Sequence, residues 1–235
     1  VLSDTVPIHL TGYVLDQPPQ ELCRVGYSSD GRSMSWQGKR ISCTSNGNPP
    51  PMDRPLTVLR AITNPTKDKE DQPRHLFYHI ATVIMDTEEY GHVENSIRAI
   101  LDGDIVVPYI SSKRNILPLE EPTMTKESTQ TATIIGFSDP GRFLAESQSF
   151  LFLDKGTQAG YQEGSIFSIY RGLNSTANET LGSLEVLSDK NNLQIGVIEV
   201  LQASTHGSVA YVHWVNEVIY QDDDIGLPRH TPPNS

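Results

Sequence analysis

The chain has 235 residues, 37% of them hydrophobic, with 29 acidic against 18 basic side chains and a formal net charge of −11. That length suits one large or two small domains, each with a small core. So acidic a surface disfavours phosphate backbones, which argues against nucleic acid, and it offers no attraction to anionic lipid heads. No apolar run approaches the roughly 20 residues needed to span a bilayer. The chain starts at Val1 rather than Met, which reads as a processed chain from which any export signal would already be gone.

Gly 17 and Pro 16 supply many turns and suit short strands better than long helices. The first apolar run is Val6-Pro7-Ile8-His9-Leu10, followed by short alternating stretches at 22–27, 33–36 and 40–44. Asn46-Gly47-Asn48-Pro49-Pro50-Pro51 cannot continue a strand ladder and reads as a loop. Residues 56–62 predict a strand, 67–71 a solvated loop and 77–85 another strand. Residues 111–130 contain Pro118, Pro122 and many Ser, Thr and Glu, the composition of a linker. Beyond it, 132–137, 149–153, 165–171, 182–187, 196–201 and 208–214 predict six short strands. Six strands at this spacing suit a small closed barrel or sandwich. The fold expected is mostly β: a module over 1–110, the linker 111–130, a barrel-like module over 131–227 and a flexible tail over 228–235.

One pattern occurs twice. The later copy holds Ile195-Gly196-Val197-Ile198, Gly207-Ser208-Val209, Val218-Ile219 and Asp222-Asp223-Asp224-Ile225. The earlier holds Ile80-Ala81-Thr82-Val83, Gly91-His92-Val93, Ala99-Ile100 and Asp102-Gly103-Asp104-Ile105. Repetition at this scale implies a duplicated β module.

Cys23 and Cys43 are the only cysteines. They read either as a disulfide closing a turn-rich loop in an oxidising compartment, or as two buried thiols in a reducing one. The flanking segments read as strands of one hairpin, which favours the bridge.

The remaining motifs point away from chemistry. Gly156, Gly160 and Gly164 punctuate a glycine-rich stretch that includes Tyr161, but no Lys-Ser/Thr pair or helix follows, as a phosphate loop requires. Turn chemistry between strands is the expected role, and the turn is a candidate partner contact. His75 and His79 have the spacing of helical metal ligands, yet Leu76 stands where a zinc-protease Glu would, and the segment predicts a strand. The acidic turns lack the alternating ligands and terminal Glu of a calcium loop. Asn174-Ser175-Thr176 and Asn178-Glu179-Thr180 match the glycosylation triplet and mark an exposed candidate loop. No nucleophile elbow or Cys–His pair occurs, so no catalytic residue, metal or cofactor is assigned.

The stretch Phe152-Leu153-Asp154-Lys155-Gly156-Thr157-Gln158-Ala159-Gly160-Tyr161-Gln162-Glu163-Gly164 leads into Ser165-Ile166-Phe167-Ser168-Ile169-Tyr170-Arg171. With Leu181-Gly182-Ser183-Leu184, Ile195-Gly196-Val197-Ile198-Glu199-Val200 and Asp224-Ile225 downstream, it resembles the LysM-containing secretin-associated proteins of type IV pili. The flagellar H-ring assembly protein has a related module. The likeness covers roughly 131–226 and extends more weakly over 79–108, where Gly103-Asp104-Ile105-Val106-Val107-Pro108 fits. Residues 2–52 match poorly, and the cysteine pair is no part of the pattern.

The resemblance implies a periplasmic, non-enzymatic accessory protein that binds an outer-membrane secretin ring and helps hold it at the cell wall. No LysM repeat is visible, so contact with peptidoglycan would need such a module before Val1. The alternatives are a flagellar basal-body component and a secreted hydrolase with an unrecognised site.

Overall fold

A computed structural model describes residues 6–26, 34–45, 47, 49–62, 74–116, 131–171, 193–221 and 223–226. They fall into two units, one spanning Thr5–Ile116 and one whose described residues run from 131 to 226.

In the first unit the strands are β1 (Val6–His9), β2 (Gly12–Leu15), β3 (Cys23–Gly26), β4 (Met34–Ser35), β5 (Arg40–Thr44) and β6 (Pro55–Ala61). β7 (His75–Met85), β8 (Tyr90–Ser96), β9 (Ile100–Leu101), β10 (Ile105–Pro108) and β11 (Lys113–Ile116) complete it. Six of them close a barrel in the order β3-β5-β8-β7-β6-β10, with β10 returning to β3. β2 hooks on to the first four residues of β7, and β1 pairs with β11 outside the ring. Residues 113–116, assigned by composition to the start of a linker, are therefore a strand of the first unit. The pairing of Val6 with Ile116, and the burial of Ile116, outweigh the polar composition around them. Residues 117–130 lie outside the described residues.

The second unit contains β12 (Ala132–Phe137), β13 (Leu144–Ala145), β14 (Phe150–Leu153), β15 (Ile166–Arg171), β16 (Leu193–Ala203), β17 (Ser208–Val215), β18 (Ile219–Tyr220) and β19 (Asp224–Gly226). Its barrel closes in the order β12-β14-β17-β16-β15-β19. Closure removes the unpaired edges that an open sheet would present.

The two barrels have the same topology, strand for strand. A two-stranded ribbon flanks each, β4 with β9 and β13 with β18, at the same place in chain order. Two of the irregularities match as well, while the slips between Ile134 and Gly136 and between Val200 and Gln202 belong to the second barrel alone. β6 and β7 slip register between Val58 and Leu59, as β15 and β16 do between Ile169 and Tyr170. β7 and β8 slip between Thr82 and Val83, as β16 and β17 do between Val197 and Ile198. A bulge bends a strand at a fixed point, so matched bulges mean matched barrel corners. The duplication seen in the sequence thus extends over whole barrels. Its register moves by one: Asp104 is equivalent to Asp223, not to Asp224, because each follows its ribbon strand by the same three residues.

Alternation along the strands fills each interior. Val25, Ile41, Leu56, Val58, Ile80, Val83, Val93, Ile100 and Val106 pack in the first barrel. Ile134, Leu151, Phe167, Ile169, Ile195, Ile198, Val212, Ile219 and Ile225 occupy the second. Cys23 and Cys43 form a disulfide within the first core, on the neighbouring strands β3 and β5. Through the common register their equivalents in the second barrel are Ala132 and Leu153, so the bridge stands where the other copy has ordinary core side chains.

Candidate functional site

The glycine-rich turn is built as turn chemistry predicts. Gly160 and Gly164 have φ of 89° and 79°, a region that strains side chains with a Cβ. Gly156 is buried, and a Cβ there would lie 2.1 Å from the Ser204 carbonyl oxygen. Tyr161 has no exposed surface. Its hydroxyl accepts from the Ala132 N–H and donates to the Ile225 carbonyl, both at 3.0 Å, and its ring stacks on Phe167. Gly156 and Tyr161 therefore cannot be partner contacts. Tyr161 is drawn inward because its ring fills the barrel while its hydroxyl ties β12 to β19. Gly164 is exposed and Gly160 half-buried, with Gln162 and Glu163 exposed between them. Asn174, Asn178 and the strand expected at 182–187 lie outside the described residues, as do 67–71 and 228–235.

The acidic turns have a structural task. Asp104 accepts from Arg60 Nε at 2.7 Å and Nη2 at 2.8 Å, and from the Leu101 N–H at 2.8 Å. Asp223 accepts from Arg171 Nε at 2.9 Å and Nη2 at 2.7 Å, and from the Tyr220 N–H at 2.8 Å. The same Nη2 donates to the Ala99 carbonyl in one copy and to the Val218 carbonyl in the other. Each fork thus ties the last residue or two of β6 or β15 to the ribbon strand β9 or β18 and to the turn after it. Bidentate pairs of this kind fix orientation as well as charge. Asp223 raises the Arg171 pKa, chiefly through this hydrogen bond. The arginines were not singled out from the sequence, since they lie 44 and 52 residues from their partners.

What the forks hold in place is apolar and faces outward. In each ribbon one pair points in: Ser35 with Ile100, and Ala145 with Ile219, all buried. The alternate pair points out: Met34 with Leu101, and Leu144 with Tyr220. Met34 is 50% exposed and Phe143, beside Leu144, is 78% exposed. Among the described residues nine large apolar side chains are exposed, and five sit on the ribbon strands or next to them in the chain: Met34, Trp36, Phe143, Leu144 and Tyr220. The Gln37 N–H, next in chain to Trp36, donates to Ser96 Oγ. The Arg171 guanidinium lies 4.9 Å from the Tyr220 ring centroid, bracing it from the barrel side.

The polar clusters are distinct from these surfaces. His75 and His79 lie on one strand, and no group of three metal-ligating side chains occurs among the described residues. His79 Nδ1 is 2.8 Å from the Tyr13 hydroxyl. Burial, then the charges of Arg98 and His9, lower the His79 pKa to about 4. Glu199 and His213 form a pair at 2.8 Å with both side chains buried. His9 Nδ1 is 3.0 Å from Ser112 Oγ, but no hydrogen bond orients the far ring nitrogen among the described residues, as a nucleophile–base pair needs.

Neither a protein-family model nor a curated protein matches the chain.

Proposed function

We propose that this chain is a non-enzymatic docking protein of the bacterial envelope, bound in the periplasm to the secretin ring of a type IV pilus and helping to hold it at the cell wall. The observation that carries the docking role is the exposed apolar ribbon present on both barrels. Exposed apolar clusters mark contact surfaces, and scattered single residues do not. Here the exposure is concentrated on one structural feature that the Arg–Asp forks hold rigid. The partner comes from the sequence resemblance of residues 152–171 and their downstream strands to secretin-associated proteins. A rigid β surface suits protein recognition, with apolar side chains at the centre and polar groups at the rim.

The test is photo-cross-linking in intact cells, with the reactive group placed at Met34 or at Tyr220. Adducts containing the secretin are expected from both positions. Adducts that contain other envelope proteins and no secretin would refute the assignment.

A further inference from the structure

The turn that follows β9 carries an Asp–Gly pair, Asp102-Gly103, immediately before the fork carboxylate Asp104. Both residues of the pair are exposed. In such a pair the glycine amide nitrogen can attack the preceding side-chain carboxyl, and a glycine hinders the attack least because it has no Cβ. The N–Cγ bond forms, the carboxyl hydroxyl leaves with the amide proton as water, and a five-membered succinimide results. Water then opens the ring. Addition at Cγ restores aspartate; addition at the main-chain carbonyl breaks its bond to nitrogen and leaves isoaspartate. No oxidant, reductant or cofactor enters.

In the folded chain the attacking nitrogen is engaged. The Gly103 N–H donates to the Val25 carbonyl at 2.9 Å, and the Val25 N–H donates to the Asp104 carbonyl at 2.8 Å, which joins the turn to β3. The Asp104 N–H donates to the Leu101 carbonyl at 3.2 Å, and the Leu101 N–H to Asp104 Oδ2 at 2.8 Å. Arg60 grips that same carboxylate. Attack on Asp102 Cγ takes the Gly103 nitrogen away from Val25, so the turn has to open first. The second barrel has no such pair, since the common register sets Gln221-Asp222 where the first has Asp102-Gly103.

We propose that Asp102 is a latent isoaspartate site, kept intact by the Arg60–Asp104 fork. Isoaspartate runs the main chain through the side-chain methylene, which adds one atom between the Asp102 Cα and the Gly103 nitrogen. The spacing that lets Asp104 bond both polar groups of Leu101 is then lost. The damage falls on the strand β9, where Leu101 pairs with Met34.

The experiment holds the full chain at neutral pH and physiological temperature. Isoaspartate at position 102 is read by mass spectrometry of the tryptic peptide 99–113, which separates it from the chain's other Asp–Gly pair, Asp30-Gly31. In urea it is expected to accumulate as in a synthetic 99–113 peptide, and in the folded parent about 10²-fold more slowly or less. Arg60→Ala removes two of the three donors to Asp104 and should raise the folded rate towards the unfolded one, by about 10²-fold. Arg60→Lys keeps the charge without the two-point grip and should fall between. Met85→Ala, at the other end of the β6–β7 pair from Arg60, weakens the barrel away from the turn and should leave the rate near the parent's. Far-ultraviolet circular dichroism checks that each variant retains its strands. Absence of isoaspartate at 102 in the unfolded chain, or a folded parent as fast as the unfolded one, overturns the site. Folded Arg60 variants no faster than the parent, or Met85→Ala as fast as Arg60→Ala at equal loss of stability, overturn the fork as its guard.

Discussion

Replacing Arg60 by alanine isolates the energetics of the fork. Asp104 is only 3% exposed and accepts from three donors, two of them on Arg60. The substitution leaves a buried carboxylate with the Leu101 N–H as its remaining donor in that group. Breaking a buried pair from one side costs about 3–5 kcal/mol. The Arg60 side chain is 27% exposed, so water reaches the vacated space and the lower end, about 3 kcal/mol, is expected. Removing both charges, as Arg60→Met with Asp104→Leu, should recover part of that loss, because no charge then stays buried although the Leu101 N–H and the Ala99 carbonyl lose these partners. Arg171→Ala should act similarly on the second barrel, where Asp223 is 4% exposed. The chain's two tryptophans provide the assay, since Trp36 lies in the first unit and Trp214 in the second. Urea unfolding in Trp36→Phe and Trp214→Phe backgrounds follows the barrels one at a time. A loss below about 1 kcal/mol from Arg60→Ala, or a double variant no better than the single one, would refute the view that the fork braces the ribbon turn.

Three further outcomes are expected. The Cys23–Cys43 bridge spans 20 residues, so its replacement by Ala and Val should cost the first barrel about 3 kcal/mol in the chain-entropy treatment, read as a lower urea midpoint; an unchanged midpoint would contradict this. His79 has its pKa lowered to about 4 in the folded chain against an ordinary value of 6.5. Its contribution is therefore complete above pH 6.5 and is lost as pH falls towards 4, by about 3 kcal/mol in all. Stability measured from pH 7 to pH 4 should fall less in His79→Gln than in the parent chain, and parallel curves would exclude His79 as the source. Tyr161→Phe removes the group that serves the Ala132 N–H and the Ile225 carbonyl, both within the second barrel. It should lower the second barrel's stability by about 1–3 kcal/mol, read by Trp214 fluorescence, with no effect on the first.

Several elements were legible from local pattern. Residues 132–137 form a strand with the bounds that alternation predicts, and 40–44 do the same. The cysteines were legible as a bridge because the strands around them pair as antiparallel neighbours within a short stretch of chain, although β4 lies between them and pairs with β9, so they are not the simple hairpin expected. The candidate site was much less so. Tyr161 reads as a surface turn residue by its glycine neighbours, yet ring burial and two backbone partners draw it inside. Asp104 and Asp223 were visible as acidic turns, whereas Arg60 and Arg171 gained meaning only from strand pairing. The outward ribbons were hidden for a similar reason: β4, β9, β13 and β18 are two residues long, too short for alternation to reveal a face.

Sequence alone thus determined what depends on near neighbours: β structure, turn positions, the acidic surface and the presence of a repeat. Tertiary structure decided what depends on residues far apart in the chain. It extended the repeat to a whole barrel and shifted its register by one. It also assigned each arginine its carboxylate and chose which apolar side chains face water. The physical reason is that a closed barrel pairs strands β3 with β10 and β12 with β19, some 80 to 90 residues apart. Which side of a strand is inside is settled only when that ring closes.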